Sequence, residues 1–162
     1  EEAEPRFHAR LNAKAKRYVY TIWTGEMPPV FWRKYSFWCK DKLDVEAIKE
    51  AASAFVGTHD FKSFCANKRM KKSTVRTIYD IDIQQKEQRL VLSFTGNGFL
   101  YQMVRILTGT LIEVGEGKRS PAEMEEILTA ENREAAGFTA PSRGLMLDEV
   151  FYEPYGKGTE MP

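Results

Sequence analysis

Apolar positions recur with helical spacing between Gly96 and Gly115, in the run GNGFLYQMVRILTGTLIEVG. Phe99, Met103, Leu107 and Leu111 stand at successive steps of four, and Leu100, Val104 and Val114 widen the same stripe. The spacing predicts a long core helix entered through a tight turn at Gly96-Asn97-Gly98. One full charge, Arg105, sits in its middle. Either its stem packs while its head reaches water, or it is a partly buried guanidinium holding a carboxylate or a phosphate.

Elsewhere the period is two. From Arg17 to Trp23, Tyr18, Tyr20 and Ile22 share one side, and Val19, Thr21 and Trp23 the other. A strand apolar on both sides belongs in the middle of a sheet. Thr74 to Gln85 sets Val75, Thr77, Tyr79, Ile81 and Ile83 against Arg76, Asp80, Asp82 and Gln84. Arg89 to Thr95 returns with Leu90, Leu92 and Phe94, so the pair reads as an antiparallel hairpin turned at 86–88. Asp44 caps a helix running to about Phe55, with Gly57 at its C-terminal turn. Ser120-Pro121-Ala122-Glu123 opens a short helix with a capping box. Val30 to Cys39 is an aromatic-rich loop expected to pack on the core, with room for a short strand, 131–137 is polar and irregular, Phe138 to Gly144 is a loop containing Ala140-Pro141, and Leu145 to Tyr152 makes a last strand. The sum is an α+β fold: a mostly antiparallel sheet of about four strands with helices packed on one face. Residues 1–6 read as a disordered leader, 7–153 as one domain and 154–162 as a tail.

Composition narrows the chemistry. At 162 residues the chain suits one domain with a sizeable core. A net charge of +1 gives no global pull towards nucleic acid, so only local clusters argue for it. Two such clusters exist. Lys14, Lys16 and Arg17 lead into the first strand, and Lys68, Arg69, Lys71, Lys72 and Arg76 crowd a later loop. Each is either a solvated surface or a contact for a phosphate backbone. Cys39 and Cys65 form no framework and read as reduced thiols. His8 and His59 are isolated, no metal-ligand spacing occurs, and Gly96-Asn97-Gly98 lacks the Lys-Ser/Thr ending of a phosphate-binding loop. The sequence contains no apolar run of membrane-spanning length. The start, EEAEPRF, has neither an initiator Met nor a signal-peptide pattern, so a processed or excised piece of a longer, cytoplasmic protein is expected.

The ordered motifs resemble the C-terminal half of the tRNA pseudouridine synthase A family. They are Phe7-His8-Ala9-Arg10, Lys16-Arg17-Tyr18-Val19-Tyr20, Gly57-Thr58-His59-Asp60-Phe61 with Ser63-Phe64, and Arg76-Thr77-Ile78. Then come Gly96-Asn97-Gly98-Phe99, Met103-Val104-Arg105, Gly109-Thr110-Leu111, Thr139-Ala140-Pro141 and Gly144-Leu145. Two departures stand out: Leu11-Asn12-Ala13 where the family often has Phe-Ser-Ala, and Val19 where Arg is common.

The resemblance implies a half-domain of RRM or ferredoxin-like build. It implies an isomerase that converts uridine to pseudouridine at tRNA positions 38–40, without metal or organic cofactor, as a homodimer with tRNA crossing both subunits. It makes Tyr18 the active-site tyrosine that stacks on the target base, Arg105 the partner of the nucleophilic Asp, and Leu145 a wall of the uracil pocket. Asn97 joins them in substrate binding, and Arg10, Lys14, Lys16, Arg17, Lys68, Arg69, Lys71, Lys72 and Arg76 are the candidate RNA contacts. The family's Gly-Arg-Thr-Asp-Ala-Gly motif is absent from these residues, so the nucleophile is expected in an N-terminal half. Asp60, in its Thr-His-Asp-Phe segment, reads as structural. A non-catalytic RRM-like RNA-binding module is the alternative, and an interaction-only scaffold has no positive feature behind it.

Overall fold

The computed structural model describes residues 6–156. The expected leader lies outside them but for Arg6, and the expected tail but for 154–156. Strand β1 (Ala15–Trp23) is central, as its two apolar sides predict. One edge pairs antiparallel with β5 (Arg89–Gly96) along its length. The other pairs with β6 (Leu145–Phe151) from Ala15 to Tyr20, and with the short parallel β2 (Phe37–Trp38) at Ile22 and Trp23. Beyond β5 lie β4 (Val75–Lys86) and β3 (Gly57–Asp60), giving six strands rather than four. Taken without β2 and β3, the order β6-β1-β5-β4 with helices after β1 and β5 is the β-α-β-β-α-β arrangement of a ferredoxin-like fold.

The hairpin forms where expected, with one change of phase. Register shifts between Ile78 and Asp80, so Tyr79 is an extra, exposed residue on β4. The bulge lets Ile78 share the buried side with Ile83 and sends Tyr79 out to stack on Tyr155 at 5.2 Å. Helix α1 (Val45–Ser53) starts at Asp44, whose carboxylate accepts from the Ala47 N–H at 3.1 Å. Helix α3 (Glu123–Thr129) keeps its capping box in part: the Glu123 carboxylate accepts from the Ser120 N–H at 2.7 Å.

Helix α2 (Met103–Gly115) begins later than the apolar spacing predicts. Gln102 takes the left-handed conformation, at φ 60°, and ends the helical path there. Phe99 and Leu100 therefore belong to a loop. The helix is also buried on nearly every side, leaving only Arg105 and Glu113 partly exposed. One side meets the sheet and α1 in a single apolar core. The other is covered by residues 135–144, which join the end of the stretch read as polar and irregular to the loop expected at Phe138 to Gly144. Arg105, Gly109 and Glu113 form the seat of that strap, at steps of four along the helix. Ala140 bonds to Arg105, Phe138 lies on Gly109, and the Gly137 and Phe138 amides donate to Thr110 and Glu113. Arg105 to Glu113 spans about 12 Å of helix, which three extended residues of strap nearly match at about 10 Å.

Gly109 makes this approach possible, because a Cβ there would overlap the Phe138 carbonyl. Gly109→Ala is expected to lower stability by about 1–3 kcal/mol, more than the helix propensity it gains. Urea denaturation measures this, and an unchanged midpoint would refute the close approach.

Candidate active site

Three elements meet at one end of the sheet: β1 with Tyr18 and Tyr20, the first turn of α2 with Arg105, and the strap that leads into β6 at Leu145. Tyr18 is half-buried, packs on the core, and lies edge-to-face against Phe99 at 5.3 Å between ring centres. The loop carrying Phe99 is fixed by Asn97, whose N–H donates to the Thr77 carbonyl and whose Oδ1 accepts from the Thr77 N–H, both at 3.0 Å. Asn97 thus shapes the loop beside Tyr18 with its carbonyl oxygen already engaged.

Arg105 donates its Nε–H to the Ala140 carbonyl at 2.6 Å, and the Ala140 N–H returns a bond to the Arg105 carbonyl at 3.1 Å. Among the described residues it has no carboxylate partner. Two other arginines hold the strap, each through two of its nitrogens. Arg119 pairs with Glu113 and donates to the Ala135 carbonyl. Arg133 donates to the Gly137 carbonyl at 2.9 Å and the Thr139 hydroxyl at 3.0 Å, and burial pulls its pKa down.

Composition and periodicity give no role to Tyr20, Arg119 or Arg133. Tyr20 is fully buried and donates its hydroxyl to the Pro141 carbonyl at 2.6 Å. Burial pushes its phenol pKa far up, against the opposing pull of Arg105 and Arg143. Leu145 is Tyr20's register partner on β6 and packs on the core beside it. The signal for the strap was present in the sequence as the small and charged positions Arg105, Gly109 and Glu113 at steps of four in an apolar helix.

The basic residues divide. Arg17 is neutralised by Glu149 at 2.9 Å, bonds Thr95 and lies over the Phe151 ring. Arg76 bonds the carbonyls of Ser73 and Val75. Lys68, Arg69, Lys71 and Lys72 are exposed, as are Arg10 and Lys14, while Lys16 is half-buried, and none has an ion pair among the described residues. The loop 67–73 walls a groove of about 630 Å3 whose far side is 131–134. Neither Tyr18, Arg105 nor Leu145 lines it, so the groove and the Tyr18 end are separate features. Asp60 accepts from the Thr74 hydroxyl and the Lys62 N–H, which is the structural role expected of it. No group of three or more His, Cys, Asp or Glu that could hold a metal occurs among the described residues. No helix among them is long and apolar enough to cross a membrane.

Comparison with known proteins agrees with the motif order. A family model described as tRNA pseudouridine synthase matches residues 51–153, which include Asn97, Arg105 and Leu145. The chain is 47% identical over 153 residues to tRNA pseudouridine synthase A of Bacillus licheniformis, covering 94% of this chain and 62% of that protein. It is 46% identical over 153 residues to the enzyme of that name in Geobacillus kaustophilus, covering 94% and 59%. With that of Halalkalibacterium halodurans it shares 51% over 140 residues, covering 86% and 53%. The chain thus spans roughly three-fifths of the length of the curated relatives it matches. With the family model covering most of the fold, including α2, the strap and β6, the chain belongs to the tRNA pseudouridine synthase family.

Proposed function

We propose that residues 7–153 are the C-terminal domain of an enzyme that isomerises uridine to pseudouridine in the anticodon arm of tRNA, at positions 38–40. The observation that carries this is Arg105. It is the one cation of α2, it is half-buried, and only its Nε is engaged, on Ala140. The two terminal nitrogens of the guanidinium stay available for a bidentate carboxylate. The carboxylate is the nucleophilic Asp, supplied by the part of the enzyme that this chain does not span. A guanidinium within about 4–6 Å lowers a carboxylate pKa by roughly 1–3 units and keeps the nucleophile ionised.

Tyr18 and Leu145 supply what the base needs. A uridine leaving the helix stack loses about 1–3 kcal/mol of stacking, which an aromatic face returns. After the N1–C1′ bond breaks, the base rotates and rejoins through C5, where a proton is released as N1 gains one. A flat ring and an apolar side chain permit that rotation, whereas a dense set of hydrogen bonds would resist it. The RNA backbone is held by the unpaired cations of the 67–73 loop with Arg10, Lys14 and Lys16, while Arg17 and Arg76 serve the fold. The whole protein acts in the cytoplasm as a homodimer. The loop with Val30, Phe31 and Tyr35, expected to pack on the core, is instead exposed together with Met27, and this apolar surface supports self-association.

The RRM-like alternative requires an aromatic platform on the open face of the sheet. On β1 that face carries Val19, Thr21 and Trp23, and the Trp23 indole is already bonded to the Met27 carbonyl at 2.8 Å. Nothing there favours simple RNA capture over the isomerase.

With tRNA carrying 5-tritiated uridine, the full-length protein is expected to release tritium and residues 1–162 alone to release none. Arg105→Ala in the full-length protein should lower kcat about 100-fold or more, the scale of losing one charge-stabilising donor. Release by the shorter chain would show that the nucleophile is misassigned. Changing Lys68, Arg69, Lys71 and Lys72 to Ala should flatten the dependence of log affinity on log salt by roughly 0.7–0.9 for each phosphate no longer neutralised. An unchanged slope would remove the loop from the interface. Sedimentation should report a dimer, and a strictly monomeric profile at high concentration would contradict self-association.

A further inference from the structure

We propose that Tyr20 is a positioning residue for the reaction: its buried hydroxyl and the Nε of Arg105 grip two consecutive carbonyls of the strap, and this shared grip aims the Arg105 guanidinium and fixes the approach to Leu145. The inference rests on the isomerase reading and adds a residue to it.

The grip comes from two different elements. Tyr20, on β1, donates to the Pro141 carbonyl at 2.6 Å. Arg105, on α2, donates to the Ala140 carbonyl at 2.6 Å and receives the Ala140 N–H at 3.1 Å. The intervening peptide is stiff, because Pro141 is locked at φ −55° and disfavours a helical Ala140. A shift of one carbonyl therefore carries the other with it. Three residues on, the strap returns to the same ring. A Cβ at Gly144 would stand 2.6 Å from the Tyr20 Cζ, so Gly144 lies directly against the ring. Leu145 then pairs with Tyr20 across the strands. Tyr20 thus meets the strap at both ends of its last turn, two residues along β1 from the stacking Tyr18.

The charged groups facing the phenol are Arg105 and Arg143, the latter over the Phe37 ring at 5.9 Å. Burial keeps the phenol protonated, so the hydroxyl remains a donor across the working pH range. With Nε fixed on Ala140, the two terminal nitrogens are the donors left for a partner. Without the Tyr20 bond, the strap, and Arg105 with it, gains freedom.

The test is Tyr20→Phe in the full-length protein, since phenylalanine fills the same core volume and removes only the hydroxyl. Tritium release should fall about 10- to 100-fold in kcat, the scale of a small misplacement, with KM for tRNA within about twofold. The acid limb of the rate profile should move to higher pH by a fraction of the ~1–3 units that a well-aimed guanidinium provides, because the nucleophile's pKa rises as Arg105 loosens. Exchange of the Arg105 Nε–H, read by NMR without any turnover, should quicken about fivefold. Gly144→Ala keeps the hydroxyl but pushes the strap off the ring, and should give the same split between kcat and KM. A wild-type kcat and acid limb in Tyr20→Phe would overturn the proposal. So would a loss of kcat with an unmoved acid limb and unchanged exchange. Inactivity of the unmutated enzyme, with Nε–H exchange still dependent on Tyr20, would instead count against the isomerase reading alone.

Discussion

The docking of residues 135–144 along helix α2 is the contact on which the rest depends. A helix buried on one side only would show water the stripe through Arg105, Gly109 and Glu113. Here that stripe receives backbone: the Ala140 carbonyl, the Phe138 carbonyl and the amides of Gly137 and Phe138. Irregular backbone is costly to bury unless each polar group finds a partner. Among the described residues no buried side-chain polar atom lacks one. The donors and acceptors come from Arg105, Thr110 and Glu113 on the helix and from Tyr20, Arg119 and Arg133 around it, so the strap is held with no regular structure beyond a single 3-10 turn at Ser142–Gly144. Because it leads straight into β6, its seat on α2 also fixes where the strand at Leu145 begins.

Three arginines serve this contact, and one of them differs from the other two. Arg119 and Arg133 are surrounded by carbonyls, a hydroxyl and the Glu113 carboxylate, and their role ends there. Arg105 resembles them in donating to a strap carbonyl and differs in having no carboxylate among the described residues. A half-buried guanidinium stripped of part of its water is an unfavourable place to leave a charge unless water or an anion reaches it. The same geometry that makes Arg105 a structural bond leaves its terminal nitrogens as the donors on which the proposed role depends.

Local patterning exposes some of this in the sequence and hides the rest. The alternation of β1 and β5, the Asp44 cap and the hairpin are legible because each is a local rule. The bulge at Tyr79 is not, because Tyr79 continues the apolar alternation that the backbone interrupts. The start of α2 is obscured for a similar reason: Phe99 to Met103 keeps helical spacing while Gln102 leaves helical geometry. Strand β3 is four mostly polar residues that pair because β4 offers an edge. The strap is hidden because its residues are small and without period, and it is held through its own main-chain atoms, which leave no hydrophobic signature. Tyr18, Arg105 and Leu145 emerge from motif order. Tyr20 looks like any core tyrosine until its hydroxyl and ring are seen to touch the strap.

Under the proposed isomerase reading, fixed and free parts must be separated, because the base has to detach, turn and rejoin. Whatever holds the base tightly would also stop its rotation, so rigidity has to come from groups that never touch it. Here the rigid bonds run between Tyr20, Arg105, Ala140 and Pro141, behind the surfaces proposed to meet the uracil. Those surfaces, the Tyr18 ring and the Leu145 side chain, bring no hydrogen-bonding group against the flat faces of the base. Tyr18 is itself steadied from the side by Phe99 rather than by a polar bond. Hydrogen bonds thus set the frame and apolar contact sets the pocket, which is the division of labour that a rotating intermediate requires.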